Sequence, residues 1–266
     1  MNLPFFQIDA FASRPFEGNP AAVCLLEQWP DDALMHAIAM ENNLSETAFL
    51  VDLGDVWEIR WFTPTAEVDL CGHATLASAH ALFAHRRIAG DKVVFSTKKH
   101  GLLTVTRLAE GYSMDFPADN ISQAAAPQGL AQALGIEPLE VWEGREDYMV
   151  VVGSEEEVAA LAPDFRLLKQ ISARGVLVTA PGRQTDFVSR CFFPAVGVDE
   201  DPVTGSAHTT MAPYWAKRLG KNDLLAKQLS KRSGILQCRL LGDRVMLTGR
   251  AVTVVEGIFW SEKVKE

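Results

Sequence analysis

Arg60-Trp61-Phe62-Thr63-Pro64, followed by an acidic stretch and then by Gly72-His73-Ala74 at the head of a helical run, recurs about half a chain later. The second rendering is Arg190-Cys191-Phe192-Phe193-Pro194, then Asp199-Glu200-Asp201, then Gly205-Ser206-Ala207. Gly101-Leu102-Leu103 lies as far beyond Gly72 as Gly234-Ile235-Leu236 lies beyond Gly205. Upstream, Ser45-Glu46-Thr47-Ala48-Phe49-Leu50-Val51 stands against Ala173-Arg174-Gly175-Val176-Leu177-Val178-Thr179. A unit written twice predicts two similar lobes, and a cleft between such lobes is where chemistry is expected.

Length permits that division: 266 residues with 48% apolar content supply two ordinary cores. A net charge of -9 argues against a grip on nucleic acid or an anionic membrane surface. Cys24, Cys71, Cys191 and Cys238 lie far apart without a C-x-x-C pair, which points to reduced thiols rather than a zinc cluster or a disulfide scaffold. The N-terminus lacks a basic start and a long apolar region, and no apolar run reaches spanning length, so a soluble cytoplasmic protein is expected.

Outward from the repeat, strands are predicted at Ile8–Phe11, Ala21–Leu26, Thr47–Val51, Trp57–Phe62, Lys92–Ser96, Leu102–Leu108 and Tyr112–Phe116. Asp31-Asp32 caps a helix running to Met40, because carboxylates accept the unpaired amides of a first turn. Gly72–Phe83 is small or apolar all round, the pattern of a helix enclosed on every side, and Ser206–Leu219 is its counterpart. The second half is expected to add strands at Leu139–Trp142, Tyr148–Val152, Val176–Ala180, Thr185–Phe193, Ile235–Leu240 and Arg244–Thr248, with a helix from Ser154. The composition changes after Pro117, which divides the chain into 1–117 and 118–254, and the last apolar strand, 255–266, is expected to rejoin the first lobe. The predicted fold class is α+β, two pseudo-symmetric lobes, each an antiparallel β-barrel around a central helix.

Gly72-His73 and Gly205-Ser206 each open a central helix, where unpaired amides and the positive dipole end suit an anion by roughly 0.3–1 kcal/mol, or ~2 when partly buried. A small carboxylate is the leading ligand; the plainer reading is a tight strand-to-helix turn with ordinary caps. Glu46 begins an apolar strand, where burial is expected to raise its pKa toward acid–base use; the plainer reading is a surface glutamate at a strand end. Its counterpart is Arg174, so one lobe supplies the base and the other binding groups. Asp201 either serves as a turn residue or hydrogen-bonds to substrate or to His73. Cys71, beside a helix start, is a secondary candidate, but the matching place before Gly205 holds Thr204, a poor proton carrier. His80 and His85 complete no metal pattern and no nucleotide fingerprint occurs, so no metal and no cofactor are expected.

Asp9-Ala10-Phe11, Phe16-Glu17-Gly18-Asn19-Pro20-Ala21, Ser45-Glu46-Thr47-Ala48-Phe49, Phe62-Thr63-Pro64, Cys71-Gly72-His73-Ala74-Thr75 and Asp201-Pro202-Val203-Thr204-Gly205-Ser206-Ala207 occur in that order. Over essentially its whole length the chain resembles the PhzF-like (phenazine-biosynthesis) isomerase family, of diaminopimelate-epimerase fold. The resemblance implies that Glu46 is the acid/base, that Gly72, His73, Asp201 and Ser206, with Gly205, surround a small-molecule carboxylate, and that no cofactor or metal takes part. It also implies a homodimer. The related epimerases set two cysteines on opposite faces of the reacting carbon; here Cys71 matches one and Thr204 stands in place of the other. The leading expectation is therefore a cofactor-independent isomerase that moves a proton along one face of its substrate. The alternatives are a cysteine-dependent amino-acid racemase or epimerase, and a non-catalytic small-anion-binding protein.

Overall fold

The computed structural model describes residues 2–86 and 88–260. Residues 261–266 of the strand expected at 255–266 lie outside the described residues. Two compact units form, one from residues 2–115 and 248–260, the other from residues 116–247.

The first unit runs β1 (Asn2–Ala10), β2 (Asn19–Leu26), α1 (Asp32–Asn42), β3 (Glu46–Asp52), β4 (Trp57–Phe62), β5 (Glu67–Val68), α2 (Gly72–Ala84), β6 (Lys92–Thr97), β7 (Gly101–Leu108) and β8 (Gly111–Pro117). The second runs β9 (Ser122–Gln123), α3 (Leu130–Leu134), β10 (Glu140–Glu143), β11 (Asp147–Val151), α4 (Glu155–Ala160), α5 (Phe165–Leu168), β12 (Gly175–Pro181), β13 (Phe187–Phe193), β14 (Val198–Asp201), α6 (Gly205–Leu219), β15 (Asp223–Gln228), β16 (Gly234–Leu241) and β17 (Arg244–Gly249). β18 (Ala251–Trp260) then pairs antiparallel with β1 of the first unit.

The sequence repeat becomes a repeat of pairings. In the first unit β1–β2 is antiparallel, β2–β3 parallel, β3–β4 and β4–β5 antiparallel, β4–β6 parallel and β6–β7 antiparallel. The second unit gives the same series for β10–β11, β11–β12, β12–β13, β13–β14, β13–β15 and β15–β16. This corrects the expectation of antiparallel sheets: the sheet is mixed. Parallel neighbours require a crossover. Here a helix-bearing segment supplies each one, α1 between β2 and β3, α2 between β4 and β6, and their counterparts in the second unit. β15 went unexpected because Asp223–Gln228 carries Asp, Lys and Gln, although every second side chain is buried.

Within each unit, helices pack on both faces of the sheet. α2 packs on β1, β2, β3, β7 and β18, and its residues from His73 to Phe83 are buried on all sides apart from His80. Its Thr75 and Ser78 hydroxyls donate to the carbonyls of Cys71 and Ala74 at 2.6 and 2.7 Å, which satisfies the polar groups that enclosure would otherwise strand. On the opposite face Met35, Ile38 and Ala39 of α1 meet Phe49, Val51 and Phe62. In the second unit α6 packs on β11, β15 and β16, while α4 covers β12 and β13. Asp31 caps α1 by accepting from the Leu34 amide at 2.7 Å. Among the described residues no helix is long and apolar enough to cross a membrane.

Candidate functional site

Glu46 is the first residue of β3, placed opposite Ala21 by the parallel register with β2. His73 is the second residue of α2, entered through Cys71 in extended conformation at φ -142°. The chain thus brings a strand start and a helix start together. Glu46 Oε2 and His73 Nε2 face each other at 3.1 Å, with side chains only 18% and 7% exposed. Neither of these two buried atoms makes an aligned hydrogen bond.

On the other edge of the imidazole, Nδ1 lies 3.2 Å from Asn19 Nδ2 and 3.5 Å from Cys71 Sγ. Asn19 is fully buried at the start of β2. Burial, then the Glu46 carboxyl, pushes the Cys71 thiol above its ordinary range. For His73, burial works downward, while the neighbouring Cys71 and Glu46 pull upward and prevail. Of these two upward pulls, Glu46 carries the effect, because a thiol held up by burial offers imidazole no negative charge.

Glu46, Cys71 and His73 each offer a ligand atom, all within 4.8 Å of one another. Nε2 approaches the carboxyl and Nδ1 approaches the sulfur. Gly72 opens α2, whose first turn carries no acidic side chain.

Asp201, Gly205 and Ser206 belong to the second unit. Asp201 ends β14, 9% exposed, and accepts from the Thr204 hydroxyl at 2.5 Å. Gln228 of β15 braces this turn, donating to the Asp201 carbonyl at 2.7 Å and accepting from the Thr204 amide at 2.9 Å. Gly205 and Ser206 open α6, and Arg174 Nη2 donates to Ser206 Oγ at 3.4 Å. Arg174 thus meets Ser206 as Glu46 meets His73. Its guanidinium is held by Asp147, at 2.9 Å through Nε and through a second contact from Nη2, and lies over the Phe193 ring.

Three residues of these constellations escaped the sequence reading. Asn19 sat inside a quoted motif without a role, Asp147 is the one acid opening the apolar β11, and Gln228 ends the unexpected β15. His80 and His85 are occupied differently: both Nε2 atoms meet the Thr253 hydroxyl of β18, at 2.9 and 2.8 Å.

A family model described as phenazine biosynthesis-like protein matches residues 8–257. The chain belongs to the PhzF-like family. One of its relatives, a Pseudomonas aeruginosa protein named an uncharacterized isomerase, is 53% identical, covering 97% of this chain and 98% of its own length. At that similarity this PhzF-like chain is an isomerase. The crystal structure of a PhzF family protein from Enterococcus faecalis covers 98% of this chain and 100% of its own, with a TM-score of 0.95 and 45% identity. A hydroxyproline epimerase of Agrobacterium vitis, crystallised with trans-4-hydroxy-L-proline, shares the fold alone: TM-score 0.64, 11% identity, 97% of this chain and 92% of its own.

Proposed function

We propose that this PhzF-like chain is a cofactor-independent isomerase in which Glu46 takes a proton from one carbon of a small carboxylate-bearing metabolite and returns it to a nearby carbon on the same face. The observation that carries the reading is the buried pair of Glu46 Oε2 and His73 Nε2, 3.1 Å apart at the head of an enclosed helix. A carboxyl shielded from bulk water and set beside an imidazole is equipped for general acid–base work, worth about 10²–10⁴ in rate. The carboxylate accepts the C–H proton as the double bond shifts and gives it back at the new carbon, so the enzyme ends unchanged. Gly72, His73, Asp201, Gly205 and Ser206 are the substrate-binding residues in this reading, with the α2 start steadying the developing negative charge. The family resemblance and the four unpaired cysteines support a homodimer in the cytoplasm.

A second reading, a cysteine-dependent racemase, draws on the 3.5 Å approach of Cys71 Sγ to His73 Nδ1. The raised thiol speaks against it. In heavy water, with a panel of small carboxylic acids screened by NMR, the wild-type enzyme should place deuterium in its substrate, and Glu46→Gln should stop it while leaving the circular dichroism spectrum unchanged. Undiminished exchange by Glu46→Gln removes Glu46 from the mechanism.

A further inference from the structure

Two motifs of the sequence, Asp9-Ala10-Phe11 and Phe16–Ala21, remain without a task in the reaction. Together they build a tightly constrained loop. Asp9, 1% exposed, accepts from the Phe16 amide at 2.7 Å. Phe11 and Phe16 both adopt positive φ, 58° and 73°, a conformation bulky residues hold only when their surroundings impose it. Gly18, at φ 66°, has no room for a side chain: a Cβ would stand 2.1 Å from the Ala10 carbonyl oxygen. The loop is also tied toward β18, through the Ala12 amide donating to the Arg250 carbonyl at 3.2 Å. All this geometry delivers one residue, Asn19, opposite Ala10 in the β1–β2 register, with its amide nitrogen 3.2 Å from His73 Nδ1.

An amide nitrogen can only donate, so the ring nitrogen it meets must accept. Which imidazole nitrogen carries the proton follows from the bond the other one makes. With Nδ1 accepting, the proton of neutral His73 resides on Nε2, beside Glu46 Oε2. Nε2 lies 3.1 Å from Glu46 Oε2, without an aligned hydrogen bond. Cys71 fits as well: its thiol, pushed up by burial, approaches Nδ1 as an S–H group rather than as an anion.

We propose that Asn19 is a positioning residue of the reaction, fixing His73 as the Nε2–H tautomer, with that nitrogen 3.1 Å from Glu46 Oε2. The effect on rate rests on Glu46 being the acid/base; the tautomer itself does not. Among the described residues the titratable groups in contact with His73 are Glu46 from β3 and Cys71 ahead of α2. Glu46 draws the ring toward the imidazolium, and the Asn19 donor opposes protonation at Nδ1.

The test is ¹⁵N NMR of the uniformly histidine-labelled wild-type protein, with the His73 resonances assigned by their loss in His73→Gln. Above the His73 titration, Nε2 is expected to be protonated and Nδ1 unprotonated. Asn19→Asp replaces the donor by an acceptor, so Nδ1 gains a proton, the His73 titration moves up by about one pH unit or more, and solvent deuterium exchange falls about tenfold or more. A wild-type spectrum with the proton on Nδ1 overturns the inference, and that outcome needs no variant to fold. Ring shifts and titration unchanged in Asn19→Asp overturn it too. Should the tautomer be as expected while Glu46→Gln retains turnover, the catalytic reading fails and the assignment of Asn19 to His73 stands.

Discussion

Cutting the Arg174–Asp147 pair from its two ends should cost very different amounts. Asp147 is 4% exposed at the start of β11, whereas Arg174 is 33% exposed and has a second acid, Glu146, at 3.3 Å. Burial works against the charge on Arg174, and the contact with Asp147 more than restores it. Arg174→Met leaves a carboxylate inside the protein with its main counter-charge gone, a loss of about 3–5 kcal/mol. Asp147→Asn keeps the shape and one acceptor, while the guanidinium turns to Glu146 and water; the loss is that of a charged hydrogen bond, about 1.5–3 kcal/mol. For a chain of this length those figures separate the melting temperatures by several degrees. The double variant removes the stranded charge and should be no less stable than Arg174→Met alone. Differential scanning calorimetry of the four proteins decides the matter. Equal costs for the single variants, or strict additivity in the double, would refute the reasoning that burial makes the two ends unequal.

Cys71→Ser should keep solvent-proton exchange within a few-fold of wild type, since the proposed chemistry uses one base; loss of about a hundredfold or more would favour the cysteine reading. His80 and His208 are held neutral by burial to about 4, whereas in the unfolded chain they titrate near 6.5. Between those values the unfolded state binds more protons, so their stabilisation is full above about pH 6.5 and is lost as the pH falls toward 4. Melting temperature should drop across that window, and His208→Gln should flatten the slope by up to about 1.4 kcal/mol per pH unit. Gly18→Ala, forced into φ 66° against the Ala10 carbonyl, should cost roughly 2 kcal/mol or more and slow exchange by displacing Asn19; a wild-type melting curve and rate would show that the loop yields freely.

Most elements were legible because the duplicated stretches combine apolar alternation with Gly and Pro punctuation. The enclosed helix Gly72–Ala84 stood out because almost every residue in it is small or apolar. What stayed hidden was of two kinds. Strand direction depends on which segments become neighbours, and nothing local in Ala21–Leu26 states that its partner will be Glu46–Val51 running the same way. β14 carries three acids in four residues and pairs with β13 across an irregularity, so sheet pairing rather than propensity makes it a strand. At the candidate site, Glu46 and His73 could be named from their places at a strand start and a helix start. Their 3.1 Å contact could not, because 27 positions separate them along the chain. Asn19 is hidden as a partner for the same reason, 54 positions from His73.

Duplication alone would give two identical half-sites, yet the framework was kept where one decisive pair of positions diverged. In both units an arginine of the central hairpin grips a glutamate on the short strand that follows and lies over the phenylalanine two residues on. Arg60 donates to Glu67 at 2.7 and 2.8 Å and sits 5.1 Å from the Phe62 ring; Arg190 donates to Glu200 at 2.7 and 2.9 Å and sits 5.2 Å from Phe192. These forked pairs hold the turn that leads into α2 or α6, and such geometry leaves little freedom for drift. Where the strand start meets the helix start, nothing was kept: Glu46 and His73 in one unit, Arg174 and Ser206 in the other. An arginine whose charge is anchored by a buried aspartate holds its proton throughout the accessible pH range and cannot serve as a base. The second unit therefore offers no counterpart to Glu46, which favours the proposed reading in which one proton carrier returns the proton to the face it came from. On that reading the proposed reaction is a double-bond shift, because inversion of a stereocentre with a single carrier would need a donor on the opposite face.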